Sequence, residues 1–247
     1  LNELEKNVDI YFHERFVLPG DDITEIITKI SKEINIGTGL KQINSRVICE
    51  LAGILKYREP KTYWIEQDTR KYIPRTGDQI IGIIEEKTAD YYRVNIFSGS
   101  PAILNRLAFE GATKRNKPEL KVGDVIYCRV SLAHRDLDTE LTCISSTSNK
   151  KNWSSGESIY GELSDGVTVE LSIKTTKNLL KSESIALNVL GKYLAFEAAI
   201  GMNGVVWFKS STVKESIVIR NALINSQNLD SFQTEAMIEL LVQRMKR

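Results

Sequence analysis

The chain has 247 residues and is 42% hydrophobic, an ordinary composition for a soluble globular protein and enough for one large domain or two to three small ones. Its net charge of +1 excludes a protein that coats a duplex by global charge, so any nucleic-acid surface must be local. Three widely spaced cysteines without a CxxC argue against a disulfide framework and for a reducing compartment. The only histidines, His13 and His134, have no second plausible ligand near them, so no metal and no cofactor are expected. No apolar run is long enough to span a bilayer and no signal-peptide pattern is present. The chain opens on Leu1 rather than Met, so targeting at the extreme N-terminus is not read.

Leu1 to Arg15 is too weakly patterned to assign. Phe16 to Gly20 reads as a short strand into a turn, with Asp21 or Asp22 as the N-cap of a helix. Ile23, Ile26, Ile27, Ile30 and Ile34 recur at helical spacing up to Gly37, which predicts one amphipathic helix. The pattern then changes to period two, with Val47, Cys49 and Leu51 on one face, Ile54 to Tyr57 as a further strand, a turn at Glu59-Pro60-Lys61, and Thr62 to Ile65. This predicts a β-rich N-terminal domain over residues 1–69.

Pro74 and Gly77 punctuate the next boundary. Gly77-Asp78 opens QIIGIIEE, Tyr91 to Ile96 follows a Thr-Ala-Asp turn, and Ala102 to Phe109 leads to a loop. Val125 to Leu132 and Leu141 to Ser145 then pair across His134 to Thr139. Five strands in this compass have the count and size of an OB-type barrel, placed over residues 70–150. Gly-Asp enters a strand twice, at Gly77-Asp78 and Gly123-Asp124, as expected where a barrel strand leaves a tight turn.

The stretch from Leu107 to Asp124 is the centre of the functional reading. Between an apolar strand and the alternating run from Val125 lies a loop with Lys114, Arg115 and Lys117. Three cations at a barrel rim suit a phosphate chain rather than a base edge, whereas a lone charge run is more often a solvated turn. Beside the loop, Tyr91, Tyr92 and Arg93 are candidates for stacking and phosphate pairing. Strand alternation turns one tyrosine inward, so at most one meets RNA, and ordinary packing competes for both. Asp136-Leu137-Asp138 resembles a carboxylate pair but sits in a hairpin without partner acids, which reads as a solvated turn.

Ser146 to Glu157 is a polar linker. Beyond it, residues 151–247 read as an α+β domain of KH type. A strand at Val167 to Ser172 precedes helices at Thr175 to Lys181 and Glu183 to Tyr193, with no glycines in the Ser182-Glu183-Ser184 connection. A hairpin then carries Phe196, Ala198 and Ile200 against Val206 and Phe208 around Asn203-Gly204, where both positions tolerate positive φ. Two helices finish the chain; in the last, Asp230 with Gln233 forms a capping arrangement, and Phe232, Ala236, Met237, Leu240 and Leu241 form the apolar stripe. The fold class is therefore multidomain: a small β domain, an OB-type barrel and an α+β domain.

The run FEGATKRNKPELKVGD, the preceding RKYIPRTGDQIIGII and the Gly201-Met202-Asn203-Gly204 hairpin together resemble the cap subunits of the eukaryotic RNA exosome, of the ribosomal RNA-processing protein 40 type. The resemblance runs from about Val17 to the C-terminus and is strongest between Arg70 and Phe208. The helix over Ile23 to Ile36 is longer than the family usually has. The resemblance implies an N-terminal β domain, an S1 domain and a KH domain in a non-catalytic subunit. It implies a seat on a ring of RNase PH-like proteins, with other S1-domain caps around a pore that takes the 3′ end of single-stranded RNA, in nucleus, nucleolus and cytoplasm. Lys114 and Arg115 match the basic S1 loop that faces the RNA path, with Lys117 as its extension. Gly201, Asn203 and Gly204 match the GxNG motif, assigned here to the turn and to packing between domains, since a conventional KH domain clamps RNA with a GXXG loop between helices. A free-standing S1 and KH protein acting in translation or on mRNA is the alternative. A nuclease would need clustered carboxylates or a phosphate site, and neither is assembled in the sequence.

Overall fold

The computed structural model describes residues 15–28, 34–58, 61–67, 69, 71–134, 136–145, 158–181 and 184–246. The linker expected over Ser146 to Glu157 lies outside them, as do Glu59-Pro60 and Ser182-Glu183. The chain divides into two compact units, Leu1–Thr69 and Arg70–Arg247.

In the first unit, β1 (Phe16–Val17), β5 (Gly53–Arg58), β6 (Thr62–Glu66) and β2 (Asn35–Ile36) form one sheet in that order. A separate hairpin joins β3 (Leu40–Ile43) to β4 (Arg46–Cys49). Helix α1 is short, Thr24–Thr28, and is opened by Asp22, whose carboxylate accepts from the Thr24 amide at 2.9 Å. These Thr24 hydrogen bonds hold the Asp22 carboxyl below its usual range. Ile23 and Ile27, four residues apart, bury fully against Val17, Leu55 and Tyr63.

The helix expected through Ile34 does not extend that far. Ile30 lies outside the described residues, and Asn35–Ile36 is a parallel strand on β6, with the Asn35 amide donating to the Lys61 carbonyl at 2.9 Å. A β-branched run can satisfy either period, and the open edge of β6 decides between them here. Leu51, expected on the buried face with Val47 and Cys49, is 37% exposed because β4 ends at Cys49.

The second unit begins with a closed five-stranded barrel: β7 (Gln79–Lys87), β8 (Tyr91–Asn95), β9 (Ala102–Phe109), β10 (Val125–Leu132) and β11 (Thr139–Cys143). The antiparallel order β9-β8-β7-β10-β11 is closed by a parallel β11–β9 pairing, Thr139 opposite Ala102. This is the OB-type barrel that the alternation predicts. Its interior holds Ile80, Ile84, Tyr92, Val94, Leu104, Phe109, Ile126 and Val130. Cys128 and Cys143 are also inside, and burial pushes both thiols up.

The two Gly-Asp turns do equivalent jobs. Gly77 and Gly123 have φ of 97° and 95°. At the first turn the Gly77 amide donates to Val130 and the Val130 amide to Asp78, while at the second Gly123 donates to Ile84 and Ile84 to Asp124. Each turn therefore clips one strand end to the neighbouring strand. The buried Tyr72 phenol donates to Asp78 at 2.6 Å, and burial is the larger reason that its pKa is raised.

After a short strand β12 (Gly161–Glu162) on β10, the chain forms an antiparallel sheet from β13 (Val167–Glu170), β15 (Val205–Ser210) and β14 (Phe196–Ile200), in that order. Helices α2 (Ile173–Leu179), α3 (Ile185–Tyr193), α4 (Val213–Asn225) and α5 (Ser231–Lys246) complete a KH-type β-α-α-β-β-α domain with one additional helix. Its core holds Val169, Leu190, Phe208, Ile219 and Ile238.

Of the stripe expected on the last helix, Met237 and Leu241 pack against the core, but Phe232, Ala236 and Leu240 do not, and the buried line runs one position further on. Thr234, Ile238 and Val242 are buried, while Phe232 is 82% and Leu240 57% exposed. The capping arrangement holds: the Asp230 amide donates to Gln233 Oε1 at 3.3 Å.

Candidate nucleic-acid interface

The basic loop leaves β9 at Gly111, which adopts φ 73°, and is tightened where Thr113 donates its amide to the Asn116 carbonyl at 2.8 Å. The Thr113 hydroxyl accepts from the Asn116 amide at 3.1 Å. This small closed turn carries Lys114 and Arg115 outward, both exposed, with Lys117 half-buried. Glu110 at the loop root is buried, and neither of its carboxylate oxygens has a hydrogen-bond partner among the described residues. Among the described residues, no carboxylate lies within ion-pair distance of Lys114, Arg115 or Lys117.

The far end of the loop is fastened to the barrel. Tyr92 is fully buried; its hydroxyl donates to the Pro118 carbonyl at 3.0 Å and accepts from the Leu120 amide at 3.2 Å. Glu119 accepts from Arg106 Nη2 at 2.7 Å and Lys87 Nζ at 3.0 Å, and these partners, Lys87 first, hold its carboxyl below the usual range. Arg106 also lies 5.6 Å from the centre of the Tyr92 ring. The cations nearest the strands are thus spent on structure, and those at the loop tip are left to solvent.

This corrects the expected role of Tyr92. The strand alternation that turns one tyrosine inward selects Tyr92, which buttresses the loop and presents no ring to a ligand. Tyr91, 38% exposed, is the outward ring. Arg93 also faces outward, where it pairs with Glu86 at 3.5 Å across the β7–β8 ladder. Glu119 and Arg106, which fix the loop, carried no sequence signal of their own, because one acid in a basic loop does not reveal which cations it meets. Asp136 lies in an exposed turn with His134 Nδ1 at 3.9 Å, a solvated arrangement.

Asn203 joins the barrel to the KH domain. Its amide nitrogen donates to the carbonyls of Ile81 at 2.7 Å and Ile96 at 3.0 Å, and its oxygen accepts from the Ile81 amide at 3.3 Å. The side chain therefore behaves as a strand peptide laid on β7. Met202 extends the contact by donating its amide to Gln79 at 2.8 Å.

Gly201 has no room for a side chain: a Cβ there would meet Asn203 Oδ1 and lie 2.8 Å from the Ile81 nitrogen. Gly204 has φ 86°, but Asn203 does not share the positive φ. The turn is therefore a longer loop closed by the Gly201 amide on Val205 rather than a two-residue hairpin. Trp207 and Val205 bury against Ile81 on the same seam, on the face of β15 opposite Phe208. Gly201, Asn203 and Gly204 thus hold the turn and pack the KH domain against the barrel.

Two family models match. The S1 domain of exosome complex component RRP40 covers residues 72–165 and a KH domain covers 166–214. The exosome complex component RRP40 of Drosophila melanogaster is 38% identical over 84% of this chain and 87% of its own length. The rrp40 component of Schizosaccharomyces pombe is 37% identical over 86% and 88%. A solved exosome complex RNA-binding protein aligns with a TM-score of 0.57 and 21% identity over 72% of this chain and all of its own, which speaks to the fold. With a mounted S1 loop, a GxNG seam and relatives of this identity across most of its length, the chain belongs to the RRP40 family of exosome complex components.

Proposed function

We propose that this chain is a non-catalytic cap subunit of the RNA exosome that seats on RNase PH-like ring subunits beside other S1-domain caps. From there it guides single-stranded RNA toward a nuclease held elsewhere in the assembly. The observation that carries this reading is the rigidly mounted loop whose tip cations, Lys114 and Arg115, have no carboxylate partner among the described residues while Lys87, Arg93 and Arg106 all do. Unpaired cations at a fixed rim bind phosphates by counterion release, independently of sequence, so RNA can slide past them. Tyr91 adds one exposed ring for stacking, and Arg93 a flanking charge. Nucleus, nucleolus and cytoplasm are the compartments proposed for it.

The test is the native mass and composition of the tagged protein purified gently from its own cells. A stoichiometric assembly with RNase PH-like subunits is expected. Recovery of the chain alone, or with ribosomes or mRNA only, would replace this reading with that of a free-standing S1 and KH binder.

A further inference from the structure

A cavity of about 320 Å³ opens where the end of β8 and the connection after it meet the end of β13 and the GxNG turn. Tyr72, Asn95, Phe97 and Ser98 line it from the barrel, and Glu170 and Gly204 from the KH domain, all within one compact unit. The chemistry of this lining is one-sided. Tyr72 donates its hydroxyl proton to Asp78 at 2.6 Å, and Ser98 donates its own to the Ser100 carbonyl at 2.5 Å, so what these hydroxyls offer a ligand is lone pairs. Asn203 spends its amide protons on Ile81 and Ile96, which leaves Asn95 Nδ2 as the one side-chain donor of the lining. No lysine or arginine lines the cavity. Glu170 is exposed and, among the described residues, has neither an ion-pair nor a hydrogen-bond partner, whereas Asp165, just before β13, holds Lys209 at 3.3 Å.

The backbone supplies a second, independent observation. Phe97 adopts φ 61°, a left-handed conformation that a bulky side chain rarely enters. Asn95 holds it there by accepting the Phe97 amide at 2.8 Å. A glycine would suit this backbone better, yet the position keeps an aromatic side chain, half-buried beside Ile81 and Val205, at the cavity wall. Local strain of this kind concentrates at ligand clamps.

We infer that this cavity receives the guanidinium of an arginine carried by another protein of the complex. A guanidinium is a planar cation with donors along its edges and no acceptor, so it meets the Glu170 carboxylate and the Ser98 and Tyr72 oxygens while its face lies on the Phe97 ring. An RNA phosphate fits poorly beside an unpaired carboxylate with no cation to offset it. The inference rests on the chain's membership of a family of complex components and not on the basic loop, none of whose residues lines the cavity.

The experiment is an amide NMR titration of the full chain with N-acetyl-arginine amide and, separately, with N-acetyl-lysine amide and a short single-stranded oligouridine, at constant ionic strength. The arginine probe shifts the amides of Phe97, Ser98 and Leu171. Glu170→Gln, an exposed change, weakens its binding by roughly threefold to fivefold, and Phe97→Leu by roughly threefold. The lysine probe binds more weakly, because an ammonium is a point charge without the planar donor set. No shift at these amides, equal binding of the two amino-acid probes, binding that survives Glu170→Gln unchanged, or shifts of the same amides with the oligouridine would overturn the site. In the purified assembly, hydrogen exchange at Phe97 and Ser98 is slower than in the free chain, and Glu170→Gln reverses the difference; equal exchange in the two would overturn the role of a partner protein. Recovery of the chain alone removes the cap reading together with the partner, whereas a failed titration beside an intact assembly removes this inference only.

Discussion

Replacing Asn203 with Ala probes the seam between barrel and KH domain at its most concentrated point. The amide makes three hydrogen bonds to backbone groups of Ile81 and Ile96, two residues that are themselves fully buried. Truncation leaves the Ile81 amide, the Ile81 carbonyl and the Ile96 carbonyl without a partner, at about 1–3 kcal/mol each. The bond at 3.3 Å is the weakest of the three, and water entering the space left by the amide recovers part of the rest. The net loss is about 3 kcal/mol. With a urea dependence of about 3 kcal/mol per molar, the midpoint of the second unit falls by about 1 M. Asn203→Asp costs more, since it deletes both donated bonds and sets a carboxylate against two carbonyls. Urea unfolding with hydrogen exchange at the Ile81 amide measures both effects. A midpoint change under about 0.2 M for Asn203→Ala, with Ile81 exchange unaltered, would refute the reasoning.

The remaining predictions concern the loop and its neighbours. Tyr92→Phe keeps the buried ring but leaves the Pro118 carbonyl and Leu120 amide unpaired, a loss of about 1–2 kcal/mol, seen as faster exchange at Leu120. Gly204→Ala forces a Cβ to 2.8 Å from the Leu171 carbonyl at φ 86° and costs at least about 1–2 kcal/mol, read as a lower unfolding temperature. The Glu119 carboxyl is lowered from an ordinary 4.5, chiefly by the Lys87 hydrogen bond, so its tether is fully present above pH 4.5 and fades as pH falls through the folded value. The protection factor at Leu120, taken relative to the intrinsic exchange rate at each pH, accordingly falls in acid in the native protein, and Glu119→Gln removes that pH step; an identical step in the variant would show that another group is responsible.

The barrel was legible because most of its strands turn one face to a single core, so alternation maps onto burial, down to the Tyr91 and Tyr92 pair; β7 departs from it where Ile80 and Ile81 are both buried, Ile81 under the KH domain. The KH strand β15 was only half legible. Val206 and Phe208 stood out at period two, whereas Val205 and Trp207 are also buried because a second domain covers the other face. No local pattern reports that cover. Residue types at helical spacing likewise misplaced the last helix: Phe232 and Leu240 fit an apolar stripe, but packing on α3 and α4 selects the adjacent Ile238 and Val242. Around the loop, the cations were visible as a charge run, but the distinction between spent and free cations depends on which strand Glu119 reaches.

The central claim is that the free cations of the S1 loop guide RNA. Its most direct test is RNA protection by the complete assembly, compared between the native chain and one in which Lys114, Arg115 and Lys117 are replaced by Ala. With each single-strand phosphate contact contributing roughly 0.7 to the slope of log affinity against log salt, losing up to three contacts flattens that slope by up to about 2. The account predicts weaker protection and a shallower salt dependence in an assembly of unchanged composition. Unchanged protection and an unchanged slope would contradict it.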